Sequence, residues 1–486
     1  MEGDFVSYDL VVIGSGPGGY VASIRAAQLG MKVLCVEKEA SFGGTCLNVG
    51  CIPSKALLES SDHFFKIKNE WKEHGINASE VTLGFDVMQA RKNKIVTQLT
   101  GGIRMLLKKN KVESKTGTAC INKDKSVTIT SGNSKETVQA KNIIIATGSV
   151  PTSLPHLPID QKTILDSTGA LALQSIPEKF VVVGGGAIGL EMGSVYARLG
   201  SQVTVIEATD RIIPTMDADL SRGLMSALQK QGMKFKLDTK IKELTLVPSI
   251  PRLRSGTTLL GDPERSRRVE VIYETAGKEE KMEAEAVLIS IGRKPNTEGL
   301  GCEEAGIQKD AKGFIVVDDH YQTSLPNIYA IGDVIGGAML AHKASEEGVA
   351  LVETLSGHAG HVNYFAIPSV VYTNPEVASV GFDEEELKAK GVQYKKSKFP
   401  FAANGRALSM GFKEGFVKML ADVKTDRLLG VHILAPHASD LIAEMVLALE
   451  YSASTEDVAR TIHAHPTLSE ALKEGALGLG SGTIHS

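Results

Sequence analysis

Short apolar runs alternate with amphipathic stretches along the first part of the chain. Residues 9–13 are an apolar run typical of a buried strand, and a glycine-rich turn over residues 14–19 leads into an amphipathic stretch that continues to about residue 29. A second apolar run follows over residues 32–37. Apolar runs of this length, separated by a helical pattern, predict a βαβ unit with parallel strands.

The turn of this unit carries the pattern Gly-x-Gly-x-x-Gly at Gly14, Gly16 and Gly19, and Glu37 ends the second strand. Glycines in such a turn let the backbone approach a pyrophosphate at the helix N-terminus, and the acid can accept hydrogen bonds from ribose hydroxyls. The glycines alone are weak evidence. Strand, turn, helix and terminal acid together predict a dinucleotide-binding site.

The same pattern recurs further along the chain at one constant offset. An apolar run at residues 180–183 leads into Gly184, Gly186 and Gly189, and Glu207 ends the strand after the helix. Two chance matches with the same helix length are improbable. The chain therefore carries two predicted dinucleotide sites.

Three further apolar runs predict strands that end near these sites. They cover residues 142–148, 287–292 and 328–333. The last run ends at Asp333, which would lie at the carboxyl end of its strand, where parallel sheets bind ligands. A proline-rich stretch over residues 151–158 follows the first of them and indicates an exit from the first domain. We therefore expect the first dinucleotide domain to be discontinuous.

The glycine-rich pattern stops at about residue 351. Runs at 370–372, 416–420 and 429–434 predict an antiparallel sheet, and residues 440–452 predict a helix. The expected fold class is α/β, with two Rossmann-like dinucleotide-binding domains and a C-terminal α+β domain. The expected boundaries are 1–150 for the first part of the first dinucleotide domain, 151–284 for the second domain, 285–350 for the remainder of the first, and 351–486 for the last domain.

Residues 249–268 interrupt the second dinucleotide domain with prolines, glycines and five arginines. We interpret this stretch as a solvated hairpin or loop excursion rather than a dedicated binding arm, because insertions of this composition are usually surface loops.

Two cysteines, Cys46 and Cys51, are separated by four residues. Five steps of α-helix rise about 7.5 Å, and a disulfide tolerates a Cα separation of roughly 7 Å at most. The chain must therefore bend if the sulfurs meet, and Gly50 and Pro53 supply a permissive backbone and a helix start. Cys51 would then lie at a helix N-terminus with Lys55 one turn on, which favours a thiolate.

A structural disulfide, two buried thiols and a zinc site are the alternatives for this cysteine pair. Zinc is disfavoured because tetrahedral sites need further ligands at close spacing. The remaining cysteines are scattered singly at Cys35, Cys120 and Cys302.

Composition limits where in the cell the protein is expected and which kinds of partner it is expected to bind. The net charge of −4 argues weakly against nucleic acid, and no run of 18 apolar residues predicts a membrane span. The few residues before the first strand are too short for a signal or transit peptide. Five cysteines in 486 residues do not make a secreted disulfide framework. We therefore expect a protein of the bacterial cytosol, with the mitochondrial matrix as the alternative only if a transit peptide is missing from this sequence. In a reducing cytosol, a close cysteine pair is more often catalytic than structural.

His465 precedes a proline, and Glu470 follows five residues later. A single histidine is more often structural than catalytic. A nearby carboxylate can fix the ring tautomer and raise its basicity. In a chain that also carries a redox cysteine pair, His465 is the obvious proton acceptor.

Two long motifs combine these features, Gly43–Lys55 around the cysteines and His463–Glu470 around the histidine. With the two nucleotide turns, they make the chain resemble the pyridine nucleotide–disulfide oxidoreductases over essentially its whole length. Shorter matches are Ala146–Gly148, Gly292–Asn296, Gly332–Asp333, Met339–His342 and Ile367–Tyr372. The resemblance implies FAD in the first site, NAD in the second, and a homodimer formed through the C-terminal domain.

The resemblance also implies roles for individual residues. Cys46 would exchange with the substrate, Cys51 would face the flavin, and His465, held by Glu470, would take the substrate proton. Lys55 and Glu191 would pair beside the flavin. The implied FAD-binding residues are Gly14, Gly16, Gly19, Glu37, Thr45, Lys55, Gly117, Thr147, Gly148, Asp333, Met339, Leu340, Ala341 and His342. The implied NAD-binding residues are Gly184, Gly186, Gly189, Glu191, Glu207 and Gly292.

Within the family, the two long motifs look most like those of members that oxidise dihydrolipoamide with NAD+. The implied partners are the lipoyl domains and E2 core of 2-oxo acid dehydrogenase complexes, and no metal, nucleic acid or membrane partner is expected. A rival is a glutathione reductase, but such enzymes use NADPH, and Glu207 would repel its 2′-phosphate. A second rival, a non-catalytic NADH sensor, has no need of the cysteines and His465. The excursion at 249–268 is longer than the family usually has.

Overall fold

The computed structural model describes residues 7–154, 157–248 and 267–486. Most of the arginine-bearing excursion, residues 249–266, lies outside them. The chain forms two compact units. The first comprises Met1–Ala56, Gln89–Thr152 and Gly292–Val362, and the second comprises Leu57–Met88, Ser153–Ile291 and Asn363–Ser486.

The described residues form strands and helices throughout both units. The strands are β1 (Ser7–Ile13), β2 (Val33–Glu37), β3 (Glu113–Thr116), β4 (Thr118–Ile121), β5 (Val127–Ser131), β6 (Ser134–Ile145), β7 (Ser149–Pro151), β8 (Ile164–Leu165), β9 (Lys179–Val183), β10 (Gln202–Ile206), β11 (Lys234–Lys236), β12 (Thr239–Pro248), β13 (Arg267–Thr275), β14 (Lys278–Ala284), β15 (Ala286–Ile289), β16 (Arg293–Pro295), β17 (Ile328–Ala330), β18 (Ser369–Val371), β19 (Glu376–Gly381), β20 (Tyr394–Pro400), β21 (Phe416–Asp422) and β22 (Leu428–Ala435). The helices are α1 (Pro17–Gln28), α2 (Gly44–Val49), α3 (Cys51–Asn69), α4 (Phe85–Lys109), α5 (Ser167–Ala172), α6 (Ala187–Arg198), α7 (Ala218–Lys230), α8 (Cys302–Ala305), α9 (Ala341–Leu355), α10 (Glu384–Ala389), α11 (Gly405–Ser409), α12 (Ala438–Glu450), α13 (Thr455–Arg460) and α14 (Glu470–Leu477).

The first unit is built on a sheet of order β3-β2-β1-β6-β5-β4, with β17 beside β6. Strands β3, β2, β1, β6 and β17 pair in parallel. Alternate residues of β1 enter two separate cores, Val11 and Ile13 on one side and Leu10 and Val12 on the other. Burial on both faces explains why these strands are continuous apolar runs rather than alternating ones.

Strand β6 is longer than the sequence predicts. Its first half pairs antiparallel with β5, and its second half pairs in parallel with β1 and β17. The predicted strands at 142–148, 287–292 and 328–333 each end earlier, because glycines at positive φ turn the chain at the sheet edge. The βαβ elements themselves are confirmed within a few residues.

The second unit contains a sheet of order β11-β10-β9-β15-β8, paired in parallel throughout. Both faces of this sheet are buried, as in the first sheet. Phe180 and Val182 of β9 enter one core, and Val181 and Val183 enter another. Strands β12, β13 and β14 form an antiparallel sheet. Strands β12 and β13 pair along their length as far as Pro248 and Arg267. Residues 249–266 lie between these two strands in the sequence.

The same unit contains the C-terminal sheet, of order β18-β19-β22-β21-β20. Its pairings are antiparallel, as expected, and the predicted helix is α12. Helices α12 and α14 supply Ile442, Met445 and Leu472 to the core of this sheet. The predicted α/β class is confirmed, while the four domain boundaries stay a prediction. No helix in the described part of the chain is both long and apolar enough to cross a membrane.

A buried ion cluster joins α7, α10 and β21 in the second unit. The ammonium group of Lys418 donates to Asp217 at 2.8 Å and to Asp219 at 2.9 Å, and it pairs with Glu384 at 2.6 Å. Partial burial alone would raise the pKa of the Asp219 and Glu384 carboxyls. The hydrogen bond and positive charge of Lys418, together with other donors such as Arg222 at Asp219 and Lys396 at Glu384, outweigh that effect and lower the pKa of each to about 2.

We expect Lys418→Met to destabilise the protein by about 3–5 kcal/mol, because it leaves three carboxylates close together without their cation. The measurement is the midpoint of thermal or denaturant unfolding. The cluster also makes stability pH-dependent: its contribution is present above the ordinary carboxyl pKa values of 3.8 and 4.5 and is lost as the pH falls towards about 2.

Lys398→Met is the matched control, because Lys398 lies on the neighbouring strand, is half exposed and is 3.8 Å from Asp219. We expect it to cost less than about 1 kcal/mol. Equal losses in the two variants would show that the buried cluster has no special role.

Candidate active site

The first glycine-rich turn is shaped by close backbone contacts on two sides and is open on a third. A Cβ on Gly14 would lie 2.4 Å from the Ala146 carbonyl oxygen, and one on Gly19 would lie 1.9 Å from the Gly14 carbonyl oxygen. A Cβ on Gly16 would meet only Gly44 Cα, at 4.0 Å, among the described residues. This open side is where a phosphate group can approach the backbone.

Glu37 fastens this turn from the end of β2. Its Oε2 accepts hydrogen bonds from the backbone N–H of Ser15 at 2.9 Å and from Ser15 Oγ at 2.7 Å, and its Oε1 accepts from the N–H of Glu39 at 3.0 Å. The sequence indicated only a ribose contact for this acid. A carboxylate has lone pairs for further donors, so the ribose contact stays a prediction beside the observed structural role.

The second turn repeats this arrangement within the other unit. A Cβ on Gly184 or Gly189 would clash with backbone oxygens at 2.4 Å or less, whereas Gly186 has open space around it in the described part of the chain. Glu207 accepts from the N–H of Gly185 at 2.6 Å and from Thr209 at 2.8 Å. The two turns are therefore alike in their contacts as well as in their sequence.

The helices after both turns begin without a capping side chain. Within the described residues, α1 begins after Gly16 and α6 after Gly186, and no side chain accepts from their first N–H groups. Helix α9 begins in the same way after Leu340, so Met339–His342 lies at its N-terminus. Such ends attract negative charge.

Thr147 and Gly148 follow β6 at the edge of the first sheet. Thr147 Oγ1 is buried and has no hydrogen-bond partner among the described residues. Gly148 adopts a φ of +68° with open space beside it. An orphaned hydroxyl next to an open backbone fits a bound polar group, as the resemblance implies for FAD.

Asp333 lies just after β17 and belongs to a small network in the first unit. Ser149 Oγ donates to its Oδ2 at 2.5 Å, and Arg293 Nε donates to Ser149 Oγ at 2.7 Å. Gly117 lies between β3 and β4, where its N–H donates to the Glu37 carbonyl oxygen at 2.7 Å. These two residues lie at the same sheet edge as the first turn.

Cys46 and Cys51 lie at the junction of two helices. Cys46 is in α2, and Cys51 is the first residue of α3, as the sequence predicts. The bend occurs at Gly50, where a Cβ would lie 2.9 Å from the Thr45 carbonyl oxygen. None of the five cysteines, all of them described, forms a disulfide.

The two thiols interact directly. A hydrogen bond with Cys51, burial and the negative charge of Cys51 all raise the pKa of Cys46, and the cation of Lys55 one turn along α3 acts in the opposite direction. The pair therefore holds one proton on Cys46 when the other thiol is ionised. Cys46 is half buried and Cys51 exposed among the described residues.

Helix α2 lies against the first nucleotide turn. A Cβ on Gly44 would lie 2.6 Å from Gly16 Cα, and the N–H of Gly43 donates to Ser15 Oγ at 3.1 Å. The structure therefore brings the cysteine pair and the first predicted dinucleotide site together within one unit.

Glu191 and Gly292 are placed in different units. Glu191 is buried in α6, and its Oε1 accepts from the N–H of Tyr372 at 3.0 Å, within the second unit. Gly292 groups with the first unit, where its carbonyl oxygen accepts from the N–H of Thr152. The implied Lys55–Glu191 pair stays a prediction.

His465 and Glu470 form the expected pair. His465 Nδ1 lies 2.9 Å from Glu470 Oε1, and the N–H of Thr467 donates to Oε2 at 2.7 Å. Burial alone would raise the pKa of the Glu470 carboxyl, but these two hydrogen bonds hold it below its ordinary value. The ring nitrogen Nδ1 is thus occupied, which leaves Nε2 for a substrate proton.

Two further histidine–carboxylate pairs lie close to this one in sequence. His463 Nε2 is 2.7 Å from Glu444, and His485 Nδ1 is 2.7 Å from Glu474. Neither pair was predicted from the sequence, because their partners are 19 and 11 residues apart and follow no regular spacing. No group of three or more histidine, cysteine or acidic side chains in the described ranges could hold a metal ion.

Comparison with known proteins finds similarity over both the N-terminal and the C-terminal part of this chain. The family model for pyridine nucleotide–disulphide oxidoreductase matches residues 8–348, and that family's dimerisation domain matches residues 367–476. The chain is 50% identical to a mitochondrial dihydrolipoyl dehydrogenase of Pisum sativum, over 98% of this chain and 92% of that protein. It is 49% identical to a dihydrolipoyl dehydrogenase of Trypanosoma brucei brucei, over 99% of this chain and 98% of that protein. The solved structure of LpdA from Mycobacterium tuberculosis superposes with a TM-score of 0.85, at 26% identity over 96% of this chain and 98% of that one.

The chain therefore belongs to the pyridine nucleotide–disulphide oxidoreductase family. This confirms the predicted class of enzyme and its cofactors FAD and NAD, and the dimerisation domain supports a homodimer.

We expect Thr147→Val to weaken FAD binding by about 3- to 10-fold, because valine has the same shape but cannot replace one hydrogen bond. The measurement is the FAD dissociation constant, from flavin fluorescence on rebinding. Thr147→Ser keeps the hydroxyl and is the control. Unchanged affinity in the valine variant, with a higher melting temperature, would show that the hydroxyl is merely a buried unsatisfied group.

Proposed function

We propose that the protein oxidises dihydrolipoamide to lipoamide with NAD+, as the E3 component of 2-oxo acid dehydrogenase complexes. The observation that carries this proposal is the hydrogen-bonded Cys46–Cys51 pair against the first nucleotide turn. The relatives named dihydrolipoyl dehydrogenase support the choice of substrate.

The cysteine pair supplies the disulfide chemistry. In the oxidised protein, a substrate thiolate attacks Cys46 Sγ, a substrate–Cys46 bond forms, and Cys51 leaves as a thiolate. The second substrate sulfur then attacks the first, which closes lipoamide and releases Cys46 as a thiol. The raised pKa of Cys46 agrees with this final state, in which Cys46 keeps its proton beside ionised Cys51.

His465 supplies the base for the first of these attacks. The attacking substrate thiol must lose its proton, and a histidine whose Nδ1 is held by a carboxylate can accept it at Nε2. Glu470 stays ionised because its pKa is lowered, and it stabilises the imidazolium that forms. We propose that His465 serves the cysteine pair of the other subunit of the homodimer.

The residues around the two turns would hold the cofactors. Gly16 and Thr147 would contact FAD, which when bound carries the electron pair from the dithiol to NAD+. Gly186 and Glu207 would contact NAD. The remaining residues named for each cofactor in the sequence keep the same proposed roles.

The nearest alternative is an NADPH-dependent disulfide reductase such as glutathione reductase. Glu207 disfavours NADPH as the cofactor, because a carboxylate at this strand end repels a 2′-phosphate. Its side chain is also buried and bonded to the turn, so it cannot easily move aside. We propose lipoyl domains and the E2 core as partners, and the cytosol as the place of action.

The test is the rate of NADH formation from dihydrolipoamide and NAD+ by the purified protein. We expect Cys46→Ser and Cys51→Ser to abolish turnover, and His465→Gln to lower kcat by about 100-fold or more. Cys120→Ser is the matched control, because Cys120 is half buried in β4 and outside the site. Faster turnover of glutathione disulfide with NADPH would contradict the proposal.

A further inference from the structure

Helix α14 carries two histidine–carboxylate pairs one turn apart. Glu470 and Glu474 both lie on it, four residues from each other. Glu474 Oε1 accepts from His485 Nδ1 at 2.7 Å, and its Oε2 accepts from the N–H groups of Ile484 at 2.8 Å and His485 at 3.3 Å. The Glu470–His465 pair has the same pattern, with Nδ1 on Oε1 and a backbone N–H on Oε2.

The second pair is held more tightly than the first. The Glu474 side chain is 8% exposed, against 28% for Glu470. Burial alone would raise the pKa of the Glu474 carboxyl, but the hydrogen bonds from His485 and the two N–H groups lower it. Two carboxylates four residues apart on a helix therefore both stay ionised, and they repel each other unless a cation offsets them.

His485 is the group placed to do so, because its Nδ1 lies 2.7 Å from Glu474 Oε1 and a protonated imidazole carries a positive charge. Its positive charge reaches Glu470 as well as Glu474, since it contributes to the lowered pKa of both carboxyls. Lys473 on the same helix is turned to the Thr461 carbonyl oxygen.

The other charged groups on the elements packed against α14 have partners elsewhere. Those on α13, β20 and β21 are Glu456, Asp457, Arg460, Lys395, Lys396, Lys398, Lys418 and Asp422. Arg460 pairs with Glu456, Lys395 with Asp426, and Lys396 with Glu384. Tyr394 of β20 likewise donates to Glu384. Among the described residues on these elements, none pairs with Glu470 or Glu474, whereas His485 does pair with Glu474.

We propose that the Glu474–His485 pair sets the charge around the Glu470–His465 pair, and thereby the pH above which His465 can accept a proton. The catalytic part of this inference rests on the proposed function. Glu474 and His485 are positioning residues in this inference, because each acts through the charge around His465.

The two members of the pair act in opposite directions on His465. The Glu474 carboxylate favours protonated His465, whereas the His485 cation disfavours it. His485→Gln keeps an N–H donor for Glu474 but cannot carry charge, so the midpoint pH of His465 should rise. Glu474→Gln removes the carboxylate, so the midpoint should fall. Each shift should be about half a pH unit, the effect of one nearby charge in a largely hydrated setting.

The experiment measures this midpoint in two ways on the flavin-loaded protein. The first is the rate of His465 carbethoxylation by diethyl pyrocarbonate against pH, followed by mass spectrometry of its peptide, because the reagent attacks only the neutral ring. The second is the acid limb of kcat/KM for dihydrolipoamide. Opposite shifts in the two variants, reduced in 1 M salt, are the expected result.

Glu456→Gln is the matched control, because it removes an exposed carboxylate from α13 and should leave both midpoints unchanged. Shifts in the same direction, or none in either variant, would overturn the inference. If wild-type protein does not oxidise dihydrolipoamide, the proposed function fails, and the carbethoxylation midpoints still decide this inference.

Discussion

A short chain of hydrogen bonds from Glu37 holds the first unit's site together. The carboxylate accepts from Ser15 in the nucleotide turn, and Ser15 Oγ accepts from the N–H of Gly43, where the cysteine segment begins. One buried acid thus fixes both the turn and the thiol-bearing helix. The close approach of Gly44 to Gly16 is possible because Gly44 has no side chain, since a Cβ there would lie 2.6 Å from Gly16 Cα.

Within the described residues, the glycine-rich turn of the second unit lacks the counterpart of the Ser15–Gly43 side-chain contact. Glu207 holds its turn through the Gly185 N–H, but no serine in that turn binds a further segment. The second turn binds another segment through its backbone, since the Gly185 carbonyl oxygen accepts from the N–H of Ile213 at 2.8 Å, whereas the first turn binds the segment that carries the thiols. The proposed roles of FAD and NAD agree with this difference, because only the first turn lies beside the cysteine pair within its unit.

Local features of this molecule could be predicted from the sequence, and contacts between distant segments could not. The strand–turn–helix units, the helix start at Cys51 and the Glu470–His465 contact follow from residues close in the chain. The Lys418 cluster draws on residues 199 or more positions apart in α7, and nothing in the spacing indicates it. The first half of β6 was missed for a different reason: it pairs with the adjacent strand β5, but its residues are mostly polar and form no apolar run.

The proposed mechanism assigns His465 of one subunit of the homodimer to the Cys46–Cys51 pair of the other. Dissociating and reassociating Cys46→Ser and His465→Ala chains tests it most directly, because each homodimer is nearly inactive. If sites combine two subunits, each mixed dimer has one intact site, and random mixing should restore roughly a quarter of wild-type activity. Mixed dimers confirmed by mass that remain inactive would contradict the claim.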